Sequence, residues 1–220
     1  MVEPNHFDRS KPFYPLVVHY ICQLFGFKEL AAHGVARQLR ERIAREGDAA
    51  YYEWLRLTGE AESHSIRESM EKLLTAGPHV ELLPPLDLAS KVQGHPVRIE
   101  AADIADDLVE NASYLAGLAM RAAGSLLIVA FESTDPYHDR SELWEFLRHC
   151  RNDAAHDGRF RLLRDEPRWP ARWASLEITK PLDGTLLFHS GDAPGLIGPG
   201  DALRLLWDIE QAHPQLAVEL

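Results

Sequence analysis

The apolar positions of this chain fall into blocks parted by short breaks. Residues 16–27 (LVVHYICQLFGF) are apolar and aromatic, a run too short for its period to separate helix from strand. The Ala-, Leu-, Arg- and Glu-rich stretch that continues to Glu46 favours a helix. Gly47-Asp48 reads as a stop and restart, a C-cap glycine followed by an N-cap aspartate. A second helix is predicted over 48–75, with Tyr52, Leu55, Ile66, Met70, Leu73 and Leu74 among its apolar positions, and Gly59 and residues 63–65 as its weak points. Pro78, Pro84, Pro85, Gly94 and Pro96 mark residues 77–96 as a connector. Residues 101–130 are rich in Ala and Leu with Asp103, Asp106, Asp107 and Glu110 early, as suits a helix entering from solvent. A turn follows at 133–136. A strong helix then runs from a cap at Asp139 or Ser141 until Gly158 limits or bends it. Residues 173–179 and 185–189 are strand candidates, joined as a hairpin through Asp183-Gly184. A last helix is predicted over 201–212.

The pattern predicts a mainly α protein. Two long antiparallel helices within 99–165 form the core of a bundle. Helices of 1–98 pack on it, and a small β-hairpin plus helix over 166–220 form an appendage, the whole one compact unit. The longest apolar stretch, residues 115–131, is 17 residues long with Arg121 inside it. A membrane span needs about 20 apolar residues, so this reads as a buried core helix. Cys22 and Cys150 make no disulfide scaffold and no zinc ladder. No secretory pattern is seen before the first apolar block, so a reducing, cytoplasmic setting is expected. The formal net charge of −11 excludes a general nucleic-acid coat, and any polyanion must meet a local basic patch.

The informative segment is 148–160, RHCRNDAAHDGRF. On a helix at about 100° per residue, Leu143, Phe146, Leu147, Cys150 and Ala154 gather into a buried stripe. Arg148, Asn152 and His156, spaced i, i+4, i+8, line the opposite side. Arg151 stands about 140° around the axis from His156, on the shoulder between core and solvent. Ala155 leaves room for a ligand to approach. An imidazole exchanges protons near neutral pH, and a guanidinium matches phosphate oxygens. Together they suit a phosphodiester. In RNA the 2′-hydroxyl is an internal nucleophile, so this chemistry needs no metal. A homodimer apposing two such helices brings two copies of His156 and Arg151 into one cleft.

The run Arg151-Asn152-Asp153-Ala154-Ala155-His156 resembles the R-x4-6-H motif of HEPN-domain proteins. The resemblance covers residues 101–164 at most. It implies an up-and-down helical bundle that dimerises through its motif helices. It also implies a metal-independent, cofactor-free endoribonuclease, often the toxin of a toxin–antitoxin pair or an effector in phage defence. Arg151 and His156 match the two defining positions, Asn152 the usual polar position, and Asp153 is a possible helper. An antitoxin or a nucleotidyltransferase is the implied partner.

Blander readings compete. An Arg and a His on a solvated helix face need no function, and a HEPN-like fold can be catalytically silent, binding a partner protein or a nucleotide. Between Phe146 and Arg164, five arginines face two aspartates, a local charge of +3 that suits RNA contact by Arg148 and Arg159. The same run also suits a salt-bridged surface. His149, Cys150 and His156 are rejected as metal ligands, because His149 and His156 lie two turns apart and Cys150 faces the core. The glycine-rich stretch 191–200 lacks a dinucleotide or P-loop pattern. Trp169, Trp173 and Trp207 are read as packing between hairpin and final helix, with base stacking as the alternative.

Overall fold

The computed structural model describes residues 9–59, 86–88, 97–99, 104–105, 108–109, 112–189 and 194–217. The chain is mainly α-helical. The described helices are α1 (Tyr14–Glu46), α2 (Asp48–Gly59), α3 (Ala112–Glu132), α4 (Glu142–Ala155) and α5 (Pro199–Ala212). Among these residues no helix is long and apolar enough to cross a membrane. Two compact units are distinguished. One joins the chain up to Leu24 with Ala116 onward, and the other is Phe25–Leu115. The units part within α1 and α3.

In the Phe25–Leu115 unit, Ala32, Ala36 and Leu39 of α1 and Ala50 of α2 are buried. Gly34 is required by close approach, since a Cβ there would strike the backbone of Ala105. Gly47, at φ +72°, makes the break between α1 and α2 where the Gly-Asp pair predicted it. Arg42 bonds Glu46 at 2.9 Å and Glu53 at 2.5 Å across that break. The predicted connector holds an antiparallel strand pair, β1 (Leu86–Leu88) with β2 (Val97–Ile99). Pro85 and Pro96 precede the two strands and interrupt neither, and a residue before proline is itself biased to extended backbone. The second half of the predicted 48–75 helix lies outside the described residues; at the start of the predicted 101–130 helix, 104–105 and 108–109 are helical and the rest lies outside them.

In the other unit, Phe13, Leu16, Val17 and Tyr20 are buried at i, i+3, i+4, i+7 spacing, which makes the ambiguous first block helical. Phe13 N–H donates to Glu210 Oε1 of α5 at 2.8 Å, and Tyr20 Oη donates to the Pro199 carbonyl at 3.4 Å. On α3, Ala122, Ala123, Leu126, Leu127 and Ala130 are buried, while Arg121, Ser125 and Val129 are exposed. The predicted core helix is thus buried along one face only. A turn and one 3-10 turn, Asp135–Tyr137, lead to α4. Ser141 occupies the N-cap position of α4 without a side-chain bond there, and Asp139 Oδ1 accepts the Ser141 N–H at 2.9 Å.

A hairpin forms, but at the first strand candidate alone and not between 173–179 and 185–189. β3 (Arg172–Trp173) and β4 (Leu176–Glu177) pair antiparallel about Ala174-Ser175. The second candidate, β5 (Leu186–Phe188), pairs parallel with β6 (Gly195–Ile197). Gly195 permits this, because a Cβ would strike the backbone of Phe188 and His189. Gly184, at φ +81°, keeps the Asp183 turn, but what it joins is β5 to a single 3-10 turn, Lys180–Leu182. Helix α4 packs against β3, β5 and α5. Trp173 is buried against Phe146 and donates to Asp208 Oδ2 at 2.8 Å. Trp173 thus packs between the hairpin and the final helix, while Lys11 lies over the Trp207 ring and Arg140 over the Trp169 ring.

Candidate functional site

Helix α4 carries a broader buried face than its apolar residues predict. Trp144, Phe146, Leu147 and Cys150 are buried, and so are Glu145, His149 and Asp153, whereas Leu143 and Ala154 are half-buried. Buried polar groups must find partners or change protonation. Arg148 serves Glu145 at 2.8 Å and Glu166 at 3.4 Å, and its Nη2 donates to His149 Nε2 at 2.9 Å. Burial, and then Arg148, hold the His149 imidazole below its ordinary value, so it accepts that bond as a neutral ring. Burial also pushes the Cys150 thiol well up, with the Asp153 charge adding to it, which leaves an inert small hydrophobe.

Small residues bring α3 and α4 together. A Cβ on Gly124 would stand 3.2 Å from Ala154 Cβ. Arg151 Nη2 meets Glu132 Oε1 at 2.5 Å, so the two helices run antiparallel. Arg151 Nη1 also donates to Asn152 Oδ1 at 3.1 Å, and the guanidinium lies 5.9 Å from the Phe131 ring centroid. Its Nε is buried without an acceptor.

The helix ends before the histidine. Ala155 is its last residue, and His156 is the C-cap, with φ −126° and ψ 66°. Asp157 follows at φ +62° and Gly158 at φ +68°. The Gly158 N–H donates to the Asp153 carbonyl at 2.9 Å, which closes the helix end as a Schellman motif. Leu187 N–H then donates to the Gly158 carbonyl at 2.8 Å and ties the turn to β5.

The expected row of Arg148, Asn152 and His156 on one helix face is therefore corrected. His156 is exposed but off the helix, Asn152 is half-buried and bonded to Arg151, and Arg148 belongs to the interior network. Arg148, expected to contact RNA, is bonded to two carboxylates. Arg159 is exposed and donates to the Gly184 carbonyl at 3.0 Å. His149 and His156 do not share a face, one being buried and the other exposed. Among the described residues no group of three or more His, Cys, Asp or Glu is arranged to hold a metal ion.

Alongside lies an open groove of about 810 Å³. Gly117, Arg121 and Ser125 of α3 line one wall, and Ala155, Asp157 and Phe188 line another part. The residues flanking His156 thus form part of its edge. Sequence reasoning missed Glu132, which holds Arg151 from another helix, and the burial of Glu145 and Asp153. The spacing of 146, 149, 150 and 153 carries the signal for Asp153, once polar residues are admitted to the stripe.

No family model, curated protein or solved structure matches this chain.

Proposed function

We propose that the chain is a metal-independent endoribonuclease of HEPN type, acting on cytoplasmic RNA as a homodimer with its α4 helices apposed. The observation that carries the reading is the placing of Arg151 and His156. One stands in the last turn of α4 and the other at its C-cap, half-exposed and exposed, with Asn152 bonded to the guanidinium. His156 removes the 2′-hydroxyl proton, and the freed oxygen attacks the adjacent phosphorus. The bond from phosphorus to the 5′-oxygen breaks, and that oxygen takes a proton from the second copy's imidazolium or from water. Arg151 exchanges Glu132 for the phosphate and neutralises its developing charge. Asn152 orients the guanidinium. The products carry a 2′,3′-cyclic phosphate and a 5′-hydroxyl. A toxin of a toxin–antitoxin pair or a phage-defence effector is the role this chemistry serves, with an antitoxin or nucleotidyltransferase as its inhibitor.

The test is RNA cleavage in excess EDTA by wild type and by folded His156→Ala and Arg151→Ala variants, with the product ends determined. Cleavage lost in both variants supports the reading. Cleavage retained in either removes that residue from the chemistry.

A second reading draws on the 2.5 Å bond between Arg151 and Glu132. A guanidinium already neutralised by a carboxylate suits a silent module that binds a partner protein or a nucleotide in the neighbouring groove. Stable binding without cleavage by the wild type favours it.

A further inference from the structure

Asp153 belongs to α4 by its backbone and to the following turn by its bonds. Its carbonyl oxygen accepts the amide protons of His156 at 3.0 Å and Gly158 at 2.9 Å. Its Oδ1 accepts the Arg161 N–H at 3.3 Å. Its main-chain carbonyl thus holds the start of the turn, at the candidate catalytic histidine, and its carboxyl group holds the far end, at the Arg161 amide. The residue is only 2% exposed, and Oδ2 has no partner.

We propose that Asp153 is a positioning residue, a buried latch for the turn that carries His156, and that a full negative charge on its carboxyl group loosens that turn. The link to catalysis rests on the ribonuclease reading, whereas the latch itself does not.

The charges around Asp153 give it no counter-ion of its own, because Arg148, the one cation that favours its charged form, is bonded to other carboxylates. On its own helix stand Arg148, the neutral His149 and the Cys150 thiol. The following segment presents the Arg161 amide and Glu166, and the turn before β5 presents Asp183. Arg148 is divided between Glu145 and Glu166. Lys180 is bonded to Asp183 and to the Leu162 and Leu163 carbonyls. A carboxylate at Asp153 would be buried with one N–H bond and a shared Arg148 to stabilise it and two further carboxylates to repel it, so burial favours the neutral acid. Burial, reinforced by Glu166 and Asp183 against the Arg161 amide and Arg148, pushes the group up to about 7. The charge therefore arrives in the neutral range.

The test is amide hydrogen exchange of the intact chain without RNA, from pH 5.5 to 8.5, read as protection factors. In the wild type, protection of the His156, Gly158 and Arg161 amides falls about tenfold or more as pH rises through neutrality, while the middle of α4 keeps its own. Asp153→Asn, which retains an acceptor of the same shape, abolishes the fall. Glu166→Gln removes a repelling charge and moves the fall to lower pH, and this variant carries the test if Asp153→Asn does not fold. His156→Ala leaves the fall in place, which separates it from titration of the imidazole. Overturning results are a fall that persists in Asp153→Asn, no fall in the wild type, a fall that Glu166→Gln does not move, a fall removed by His156→Ala, or loss spread evenly over α4. A chain that shows this pattern yet cleaves no RNA loses the ribonuclease reading and keeps the latch.

Discussion

Helix α4 bears two sets of polar side chains with opposite burdens. Its inner set, Glu145, Arg148, His149 and Asp153 with Glu166, is packed against the strands and α5, where each charge must be answered by another. Its outer set, Arg151, Asn152 and His156, faces the α3 side and solvent. The outer set matches a recognisable spacing, whereas the inner set matches none. Yet the inner set constrains the fold, because a lone buried charge is far more expensive than an exposed one. In the outer set only His156 is exposed and without a side-chain bond among the described residues, whereas Arg151 is held by Glu132 and Asn152. Function and stability should separate along this line when either set is altered.

The largest effect belongs to the outer set. On the proposed ribonuclease reading, His156→Ala is expected to lower RNA cleavage by roughly a hundred- to ten-thousand-fold, the range of general acid–base catalysis. Its thermal midpoint should stay within a few degrees of wild type, since an exposed side chain contributes little. A large drop in the midpoint would break the division. Arg148→Ala supplies the converse. Removing it leaves Glu145 and Glu166 without their shared cation. Arg148 is 27% exposed, so the loss should fall below the full figure for a buried pair, at about 2–3 kcal/mol in urea unfolding. Unchanged stability in this variant would show that water already solvates both carboxylates.

Next comes the pH dependence of stability. Asp153 titrates near its ordinary 3.8 when unfolded and at about 7 when folded. Between these values the folded chain holds a proton that the unfolded chain has released. Its stabilising contribution is therefore full below about pH 4, declines as pH rises, and is gone above about 7. Each unit is worth about 1.4 kcal/mol, and partial solvation of the charged form should leave a net difference on the order of 2 kcal/mol. Asp153→Asn removes this decline, so the gap between variant and wild type in urea unfolding at pH 5 and pH 8 isolates it. The difference matters because His149 acts in the opposite sense. Burial lowers its folded value, so its effect appears as loss of stability when pH falls through the usual imidazole range. A gap that does not change with pH would place Asp153 in solvent contact.

How far these features could be read beforehand depends on how local their causes are. The break at Gly47-Asp48 was legible because a C-cap glycine acts within one turn. The last helix was nearly so, with Asp201 three residues inside, where it accepts the Gly198 N–H at 2.8 Å. The hairpin was legible as a presence but not as a pairing. Asp183-Gly184 signals a turn, while the parallel partner of β5 is chosen by the close approach at Gly195. At the candidate site the spacing of Arg151 and His156 was plain. The hold of Glu132 on Arg151 comes from another helix and leaves no mark in the motif. The bond of Arg148 to Glu166 was equally hidden, because Glu166 lies in the following loop.

The smallest expected effect concerns the join between the two sets. Asp157 sits at φ +62°, the left-handed position that ends α4, where a side chain is strained and glycine is not. Its ion pair with Arg161, at 3.0 Å, joins two side chains that are 63% and 82% exposed, so the pair contributes little. Asp157→Gly should therefore stabilise the chain by about 0.5 kcal/mol, the relief at C′ exceeding both the lost pair and the added freedom of the unfolded backbone. The substitution also removes a negative charge next to His156 at the groove edge without touching the imidazole. RNA affinity should rise severalfold at low salt, and the gain should fade as salt is added. A gain in stability with no salt-dependent change in binding would confine Asp157 to ending the helix. A salt-dependent gain without added stability would show that the carboxylate matters to the approaching polyanion and that the left-handed turn bears no strain.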